Sequence, residues 1–462
     1  MSRNGDSGNP GGSGAMTGRL RVPYGDGTLE LDPAPFRLER VGGTAAAEAP
    51  RGDAASDRGR IAAALDRPIG SPRLEALVRP GERVLILVSD TTRPSAADRV
   101  LPVLLDRLAR AGLRDEDVRY AVAGGLHPQA DQAAAAGIVG DEMARRLRRG
   151  APPPWRPGDF IDLGDSRRGT PIRVHRALVD ADRVILTGAL GFHYYAGFTG
   201  GRKSVLPGMA APEAIAANHL LALLPDGDGR EPGARVACLD GNPVHQDMAE
   251  ACARIAPTFL VNVVPGAGGR VEAAFAGHWD RAHRRGCAEL LRMRTVLVDF
   301  PRDLVVVSPG GHPRDIDLIQ THKAIDMALP LVRPGGAMIV LARCERGPGH
   351  PVLDAWLDGR GAAALGQRLR KSYEVYGQTA HSLRSKAEEI AIWLVSEISR
   401  DLVRRTGMRA APDPDAAVQQ AAAYLGGGGA GYLLERGAEL LVASSPPPLP
   451  AAAEEPGPAR TG

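Results

Sequence analysis

Lysine is almost missing from this 462-residue chain: of its 57 Lys and Arg residues only Lys203, Lys323, Lys371 and Lys386 are lysine, and the other 53 are arginine. With 57 Gly and 38 Pro, the bias reads as compositional drift toward Arg. A surviving lysine therefore marks a position worth questioning, because Arg cannot replace an amine that must lose its proton and form a covalent bond. Cysteine is sparse too. Cys238, Cys252, Cys287 and Cys344 lack C-x-x-C spacing, which excludes a zinc framework and a disulfide scaffold and leaves buried thiols. Long apolar runs are absent: no segment approaches about 18 uninterrupted apolar residues, and the first 18 residues have no apolar signal core. A cytoplasmic protein with no membrane span is expected. A formal charge of +3, with Arg interleaved among Asp and Glu, argues against a nucleic-acid partner.

What is present is an alternation of short β-branched runs and helical patterns. Strands are expected near 83–88, 118–122, 183–187, 259–264, 295–298, 304–307 and 337–341. Helices are expected near 97–111, 212–224, 245–255, 280–293 and 316–332. Such alternation predicts an α/β fold with parallel sheets. At this length two α/β domains are expected, with the active site in the cleft between them. The boundaries predicted are 1–18 as a disordered tail, 19–290 as an N-terminal cofactor-binding domain, 291–432 as a C-terminal domain, 433–443 as a possible return to the N-terminal domain, and 444–462 as a second disordered tail. The stretches 42–60 and 148–159 read as loops.

Ligands of open α/β sheets bind beyond the carboxyl ends of strands, so the residues after each run are the informative ones. Three such places are chemically rich. After VLILV comes Ser89-Asp90-Thr91-Thr92-Arg93-Pro94, where hydroxyls and Arg93 suit a phosphate or carboxylate, or where Asp90 and Thr92 merely cap a helix. After VRYAVA comes Gly124-Gly125-Leu126-His127. After RVILTGAL comes the stretch Gly191 to Lys203, which holds four of the 19 aromatic residues, His193, Gly200, Gly201 and the first lysine. Single histidines are more often structural, but two imidazoles past strand ends make a plausible acid/base pair near neutral pH. A P-loop reading fails because Arg202, not Gly, precedes Lys203. Gly426, Gly428 and Gly431 satisfy G-x-G-x-x-G formally but follow a helix, which reads as a helix C-cap and loop. Further along, Asn218-His219 lies on a helix, and Gln320 and Lys323 share a helix face.

The ordered segments S-D-T-T-R-P, G-G-L-H-P, H-Y-Y-A-G-F-T-G-G-R-K-S-V-L-P-G, N-H, G-N-P-V-H and I-Q-T-H-K-A closely resemble the lactate racemase family of nickel-pincer-nucleotide-dependent 2-hydroxy acid racemases and epimerases. The likeness runs from about Leu20 to Tyr432, although the Arg/Pro-rich stretch near 147–158 does not align. It implies a pyridinium-3,5-bisthiocarboxylate mononucleotide bound covalently to Lys203, with nickel held by His219. Asp90, Thr91, Thr92, Arg93, Gly200 and Gly201 would bind the cofactor. His127 and His193 would be the catalytic acid/base pair, one for each enantiomer, while hydride passes reversibly between the α-carbon and the cofactor. Arg93, Gln320 and Lys323 would orient the carboxylate and the cofactor, the substrate being a 2-hydroxy acid whose side chain is left open. Cofactor-biosynthesis enzymes are the implied protein partners. Two other readings stand beside it: a zinc hydrolase using His127, His193 and His219, and a non-catalytic nucleotide-binding or carrier protein.

Overall fold

The computed structural model describes residues 18–42, 54–91, 95–127, 130–153, 155–226 and 229–451. Thr92 and Arg93 fall outside these residues, as do most of the expected terminal tails. The chain divides into two compact units. The larger comprises residues 47–295, 366–375 and 447–462, and the smaller comprises 1–46, 296–365 and 376–446.

In the larger unit six strands lie in the order Val271–Gly277, Phe259–Pro265, Arg183–Ala189, Val84–Ser89, Val118–Ala123 and Arg148–Arg149. All neighbours are parallel except the first pair. Alternate residues of Val84–Ser89 enter two different cores. Val84, Ile86 and Val88 pack with Val100, Leu101 and Leu104 of the helix Ala97–Arg110, whereas Leu85 and Leu87 pack with Ile215, Val244 and Met248 from the helices Pro212–Leu220 and Pro243–Ile255. Burial on both faces is why these strands read as nearly continuous apolar runs.

The smaller unit holds a second six-stranded sheet, ordered Arg409–Ala411, Ala391–Val395, Val332–Leu341, Arg302–Val307, Ala430–Leu434 and Arg37–Arg40, with every pairing parallel. One face packs Leu304, Val306, Ile339 and Leu433 against Val418 and Ala421 of the helix Pro414–Leu425. Gly426 caps that helix at φ +77°, the left-handed conformation that glycine adopts without a Cβ penalty.

Three features depart from the sequence-based expectation. Residues 18–42 belong with the smaller unit, because Leu38 on the edge strand and Leu20, Val22 and Leu31 on the preceding hairpin complete its core. Residues 366–375 belong with the larger unit although their sequence neighbours do not, and Leu441–Ala443 pairs with Thr295–Leu297. Part of the expected 42–60 loop is a helix, Ala54–Asp66, which buries Ile61 and Leu65. Among the described residues no helix is long and apolar enough to cross a membrane.

That helix is anchored by Asp57, which is fully buried and accepts hydrogen bonds from Arg99 on the helix Ala97–Arg110 and from Arg270 at 2.9 Å. Burial alone would raise its carboxyl pKa, but the Arg270 hydrogen bond and the Val271 N–H hold it below the ordinary value. Its contribution is therefore complete above the unfolded carboxylate pKa and is lost as pH falls through the lower folded value. Asp57→Ala is expected to cost about 1.5–3 kcal/mol, the range of a hydrogen bond to a charged group, because the arginines left behind are only partly buried. Guanidinium unfolding monitored on the larger unit should show the loss, and an unchanged midpoint would contradict it.

Candidate active site

The first strand of the larger sheet, Val84–Ser89, has Val118–Ala123 on one side and Arg183–Ala189 on the other. The connections leaving its two neighbours diverge there, which makes the carboxyl ends of these strands a topological switch point. Asp90, His127 and the stretch from His193 to Lys203 all follow these ends. The loops touch one another: Gly125 N donates to Gly208 O at 3.0 Å, and Gly208 N donates to Lys203 O at 3.0 Å.

Phe192–His193 and Gly197–Phe198 form a small hairpin with His193 opposite Gly197. A single 3-10 turn, Gly201–Ser204, then carries Lys203 into the interior, where it is 7% exposed. The turn needs glycine. Gly200 and Gly201 have φ +79° and +57°, and a Cβ on Gly201 would lie 2.6 Å from the His283 ring. Arg202 faces inward and is buried: Nη2 donates to Ala196 O at 2.7 Å, and Nη1 lies 3.0 Å from His283 Nε2. Burial pushes its pKa down to about 10. The residue that spoils the P-loop pattern is thus the one that ties the hairpin to the lysine turn. From the other side Asn242 Nδ2 donates to Tyr195 O at 2.9 Å, while its Oδ1 caps the helix Pro243–Ile255.

Each imidazole has a defined partner. The half-buried His127 presents Nδ1 to Asp90 Oδ2 at 2.6 Å, and Asp90 is buried. His193 Nδ1 accepts from Ala196 N at 3.2 Å, and its ring stacks on Tyr194 and meets Tyr195 edge-on at 4.5 Å between centroids. His219, 8% exposed, has Nε2 at 3.0 Å from the Tyr195 hydroxyl and Nδ1 at 2.7 Å from the Tyr373 hydroxyl. Lys203 Nζ lies 5.8 Å from the Tyr195 ring centroid. Tyr195 therefore touches His193, Lys203 and His219 at once. A pocket of about 500 Å³ opens beside Asp90 and Thr91, lined also by Ser95, Arg99 and Ile138, but its walls include none of Lys203, His193 and His219.

Gln320 and Lys323 lie in the smaller unit, on the helix Leu318–Ala328, which is capped by the Asp317 carboxylate accepting from Gln320 N at 2.8 Å. Lys323 Nζ donates to Gln320 Oε1 at 2.6 Å, as the three-residue spacing predicts. On the same helix the buried Asp326 pairs with Lys386 at 3.0 Å. Lys386 also contacts Ser382 Oγ, which lies 2.9 Å from His322 Nε2. Lys386, without a role from sequence, is thus a buried ion-pair partner. Tyr195, Tyr373, Arg202 and Asn242 carry no spacing signature that assigns them these contacts. Only the scarcity of aromatics and the G-N-P spacing pointed toward any of them.

A buried lysine on a glycine turn at a sheet switch point, with two partnered imidazoles gathered on Tyr195 and a third on a neighbouring loop, is an arrangement suited to an α/β enzyme. A family model described as the lactate racemase N-terminal domain matches residues 24–229. The lactate racemase of Thermoanaerobacterium thermosaccharolyticum is 30% identical over 73% of this chain and 77% of its own length. That of Lactiplantibacillus plantarum is 30% identical over 64% of this chain and 68% of its own. The solved lactate racemase apoprotein from T. thermosaccharolyticum aligns with a TM-score of 0.80 at 24% identity, covering 92% of this chain and all of that one. A Thermotoga maritima crystal structure aligns at 0.60 and 17% identity, covering 85% and 98%. The two structural likenesses speak to fold alone. The chain belongs to the lactate racemase family, and it is an isomerase of the racemase type.

The hairpin geometry leaves no room at Gly197, where φ is +78° and a Cβ would lie 2.0 Å from Cys238 O. Gly197→Ala is expected to lower stability by at least the order of 1–3 kcal/mol that left-handed strain alone costs. Urea unfolding midpoints check this, and a midpoint equal to wild type would rule out the packing described.

Proposed function

We propose that this racemase inverts the α-carbon of a lactate-like 2-hydroxy acid with a nickel-pincer nucleotide tethered to Lys203. The observation that carries the reading is the grouping around Tyr195, whose ring and hydroxyl contact the buried Lys203 amine, His193 and His219.

The residues present fit that cofactor. A buried amine can form the covalent tether, and arginine could not. Among the described residues no three His, Cys, Asp or Glu side chains are grouped to hold a metal by themselves, so a metal at His219 would take its remaining donors from a bound group. Sulfur and imidazole donors suit nickel(II). The same observation removes support from a zinc hydrolase built on His127, His193 and His219. Thr91, Gly200 and Gly201, with Thr92 and Arg93, would hold the nucleotide end, and the cofactor would come from separate biosynthetic enzymes. When bound, it supplies an acceptor that takes the α-hydrogen as hydride and returns it.

The chain's own residues manage the proton and the carboxylate. The Asp90 carboxylate keeps hydrogen on His127 Nδ1, which leaves the Nε2 lone pair for the substrate hydroxyl proton and stabilises the imidazolium that results. Asp90 therefore serves the base rather than the nucleotide phosphate, whose negative charge it would repel. His193 serves the opposite enantiomer. For Nε2 to accept a proton there, Nδ1 must carry the hydrogen, which forfeits the bond from Ala196 N. His193 is thus held less firmly in its basic form than His127. By the family resemblance, Arg93, Gln320 and Lys323 are the candidates for the carboxylate.

Protein co-expressed with the cofactor-building enzymes should carry a mass adduct on Lys203 and nickel, and should racemise one or more chiral 2-hydroxy acids on chiral chromatography. Lys203→Arg should lose the adduct and the activity together; active protein with an unmodified Lys203 would overturn the reading. His127→Ala and His193→Ala should each cost about 10²–10⁴-fold. The two losses should fall on opposite half-reactions in single-turnover measurements begun from each enantiomer. Steady-state kcat/KM cannot separate them, because enantiomers of equal energy tie the two directions. Equal effects on both half-reactions would contradict separate base roles.

A further inference from the structure

Both ring nitrogens of His219 are engaged by tyrosine hydroxyls, and the two tyrosines come from different parts of the chain. Tyr195 belongs to the hairpin segment that precedes Lys203. Tyr373 belongs to residues 366–375, the segment that joins the larger unit between two stretches of the smaller one. Arg370 fixes that segment further, its guanidinium donating to Leu223 O at 2.8 Å and to Leu224 O just past the helix that carries His219.

A neutral imidazole has one N–H and one lone pair, so the two hydroxyls cannot play the same part. The Nε2 side faces Tyr195, the ring beneath the Lys203 amine, and the Nδ1 side faces Tyr373. A ligand bound through Lys203 must meet the nitrogen on the Tyr195 side. We propose that Tyr373 is a positioning residue that accepts the Nδ1–H hydrogen bond of His219, fixes the tautomer and aims the Nε2 lone pair toward the lysine side, while the Tyr195 hydroxyl occupies Nε2 until a metal displaces it. The inference rests on the reading of His219 as the metal ligand. It follows the general behaviour of metal-binding imidazoles, whose second nitrogen donates to an outer partner that sets ring orientation and basicity. The short Tyr373 contact and the edge-on packing of its ring on His219, with centroids 5.8 Å apart, hold both the nitrogen and the plane.

The deciding measurement uses the full-length protein without cofactor, labelled with ¹⁵N-histidine, with His219 assigned by its disappearance in His219→Gln. Two-bond ¹H–¹⁵N correlations should show His219 as the Nδ1–H tautomer in wild type and in Tyr195→Phe. In Tyr373→Phe, which keeps the ring and removes the acceptor, the tautomer ratio should shift by roughly 2- to 10-fold toward Nε2–H, the effect of losing one ordinary hydrogen bond. An Nε2–H wild type, or a Tyr373→Phe spectrum unchanged at His219, would overturn the proposal. In cofactor-loaded protein Tyr373→Phe should keep the Lys203 adduct mass yet hold nickel about 10- to 100-fold more weakly against a chelator. Nickel retention equal to wild type would overturn the ligand-holding part. Wild-type protein that carries neither adduct nor nickel would instead overturn the functional reading, and the tautomer measurement tells the two failures apart.

Discussion

The site is built around a buried guanidinium. Arg202 lies inside the larger unit against the Ala196 carbonyl and the His283 imidazole, and it is held there by protein dipoles in place of water. Desolvation disfavours its charge strongly enough to lower its pKa to about 10, so the carbonyls that solvate it cannot move away without a large cost. Those carbonyls belong to the hairpin and turn that carry His193 and Lys203. Fixing Arg202 fixes both, and Asn242 reinforces the same hairpin from the helix behind it. A flexible surface loop of this composition, with four glycines between 191 and 201, would otherwise have large conformational freedom.

A second consequence concerns proton inventory. Each of the three imidazoles at the site has at least one nitrogen assigned to a fixed partner: a carboxylate for His127, a backbone N–H for His193, and tyrosine hydroxyls for His219. These partners differ in kind, so the three rings are chemically distinct although they are the same residue type. The carboxylate holds hydrogen on Nδ1 of its ring, the backbone N–H favours a neutral ring with hydrogen on Nε2, and hydroxyls, which donate or accept, leave the tautomer to be set by which of the two donates. Environment, not residue identity, sets the three rings apart.

Much of this was legible in the sequence, and for a common physical reason. Runs such as Val84–Ser89 and Phe259–Pro265 are buried on both sheet faces, so their apolar composition is continuous and their carboxyl ends stand out. Local signals also located helices capped by Asn242 and Asp317. The strand Ala391–Val395 was not anticipated, although all five of its residues are buried, because a five-residue apolar run after a helical stretch looks like that helix continuing. Membership of residues 18–42 and 366–375 in their units was invisible for a different reason. Each is decided by pairing or packing with residues more than a hundred positions away, such as Leu38 with Gly431 and Arg370 with Leu223. Tyr373 is the same kind of case: no spacing rule links it to His219.

The lysine shortage now resolves into separate physical causes. Lys323 lies beside Gln320 as a compact charge on a flexible stem, where a broad guanidinium would present different geometry. Lys386 is buried with Asp326, Ser382 and His322, and an ammonium can direct hydrogen bonds to three closely spaced acceptors on one side, which a planar fork cannot match. On the proposed reading, Lys203 is buried without needing to remain an ion: an amine that became an amide-like linkage would lose its charge, so the desolvation cost that Arg202 bears next to it would disappear on modification. Lys371 is exposed at the end of the helix Ala362–Lys371, and nothing in the structure explains it. Where only a surface charge is needed the chain uses Arg almost throughout, and burial with specific geometry accounts for the lysines at 203 and 386. The adjacent pair Arg202 and Lys203 makes the division sharpest, since one residue holds the loop by staying charged and the other, on the proposed reading, gives its charge up.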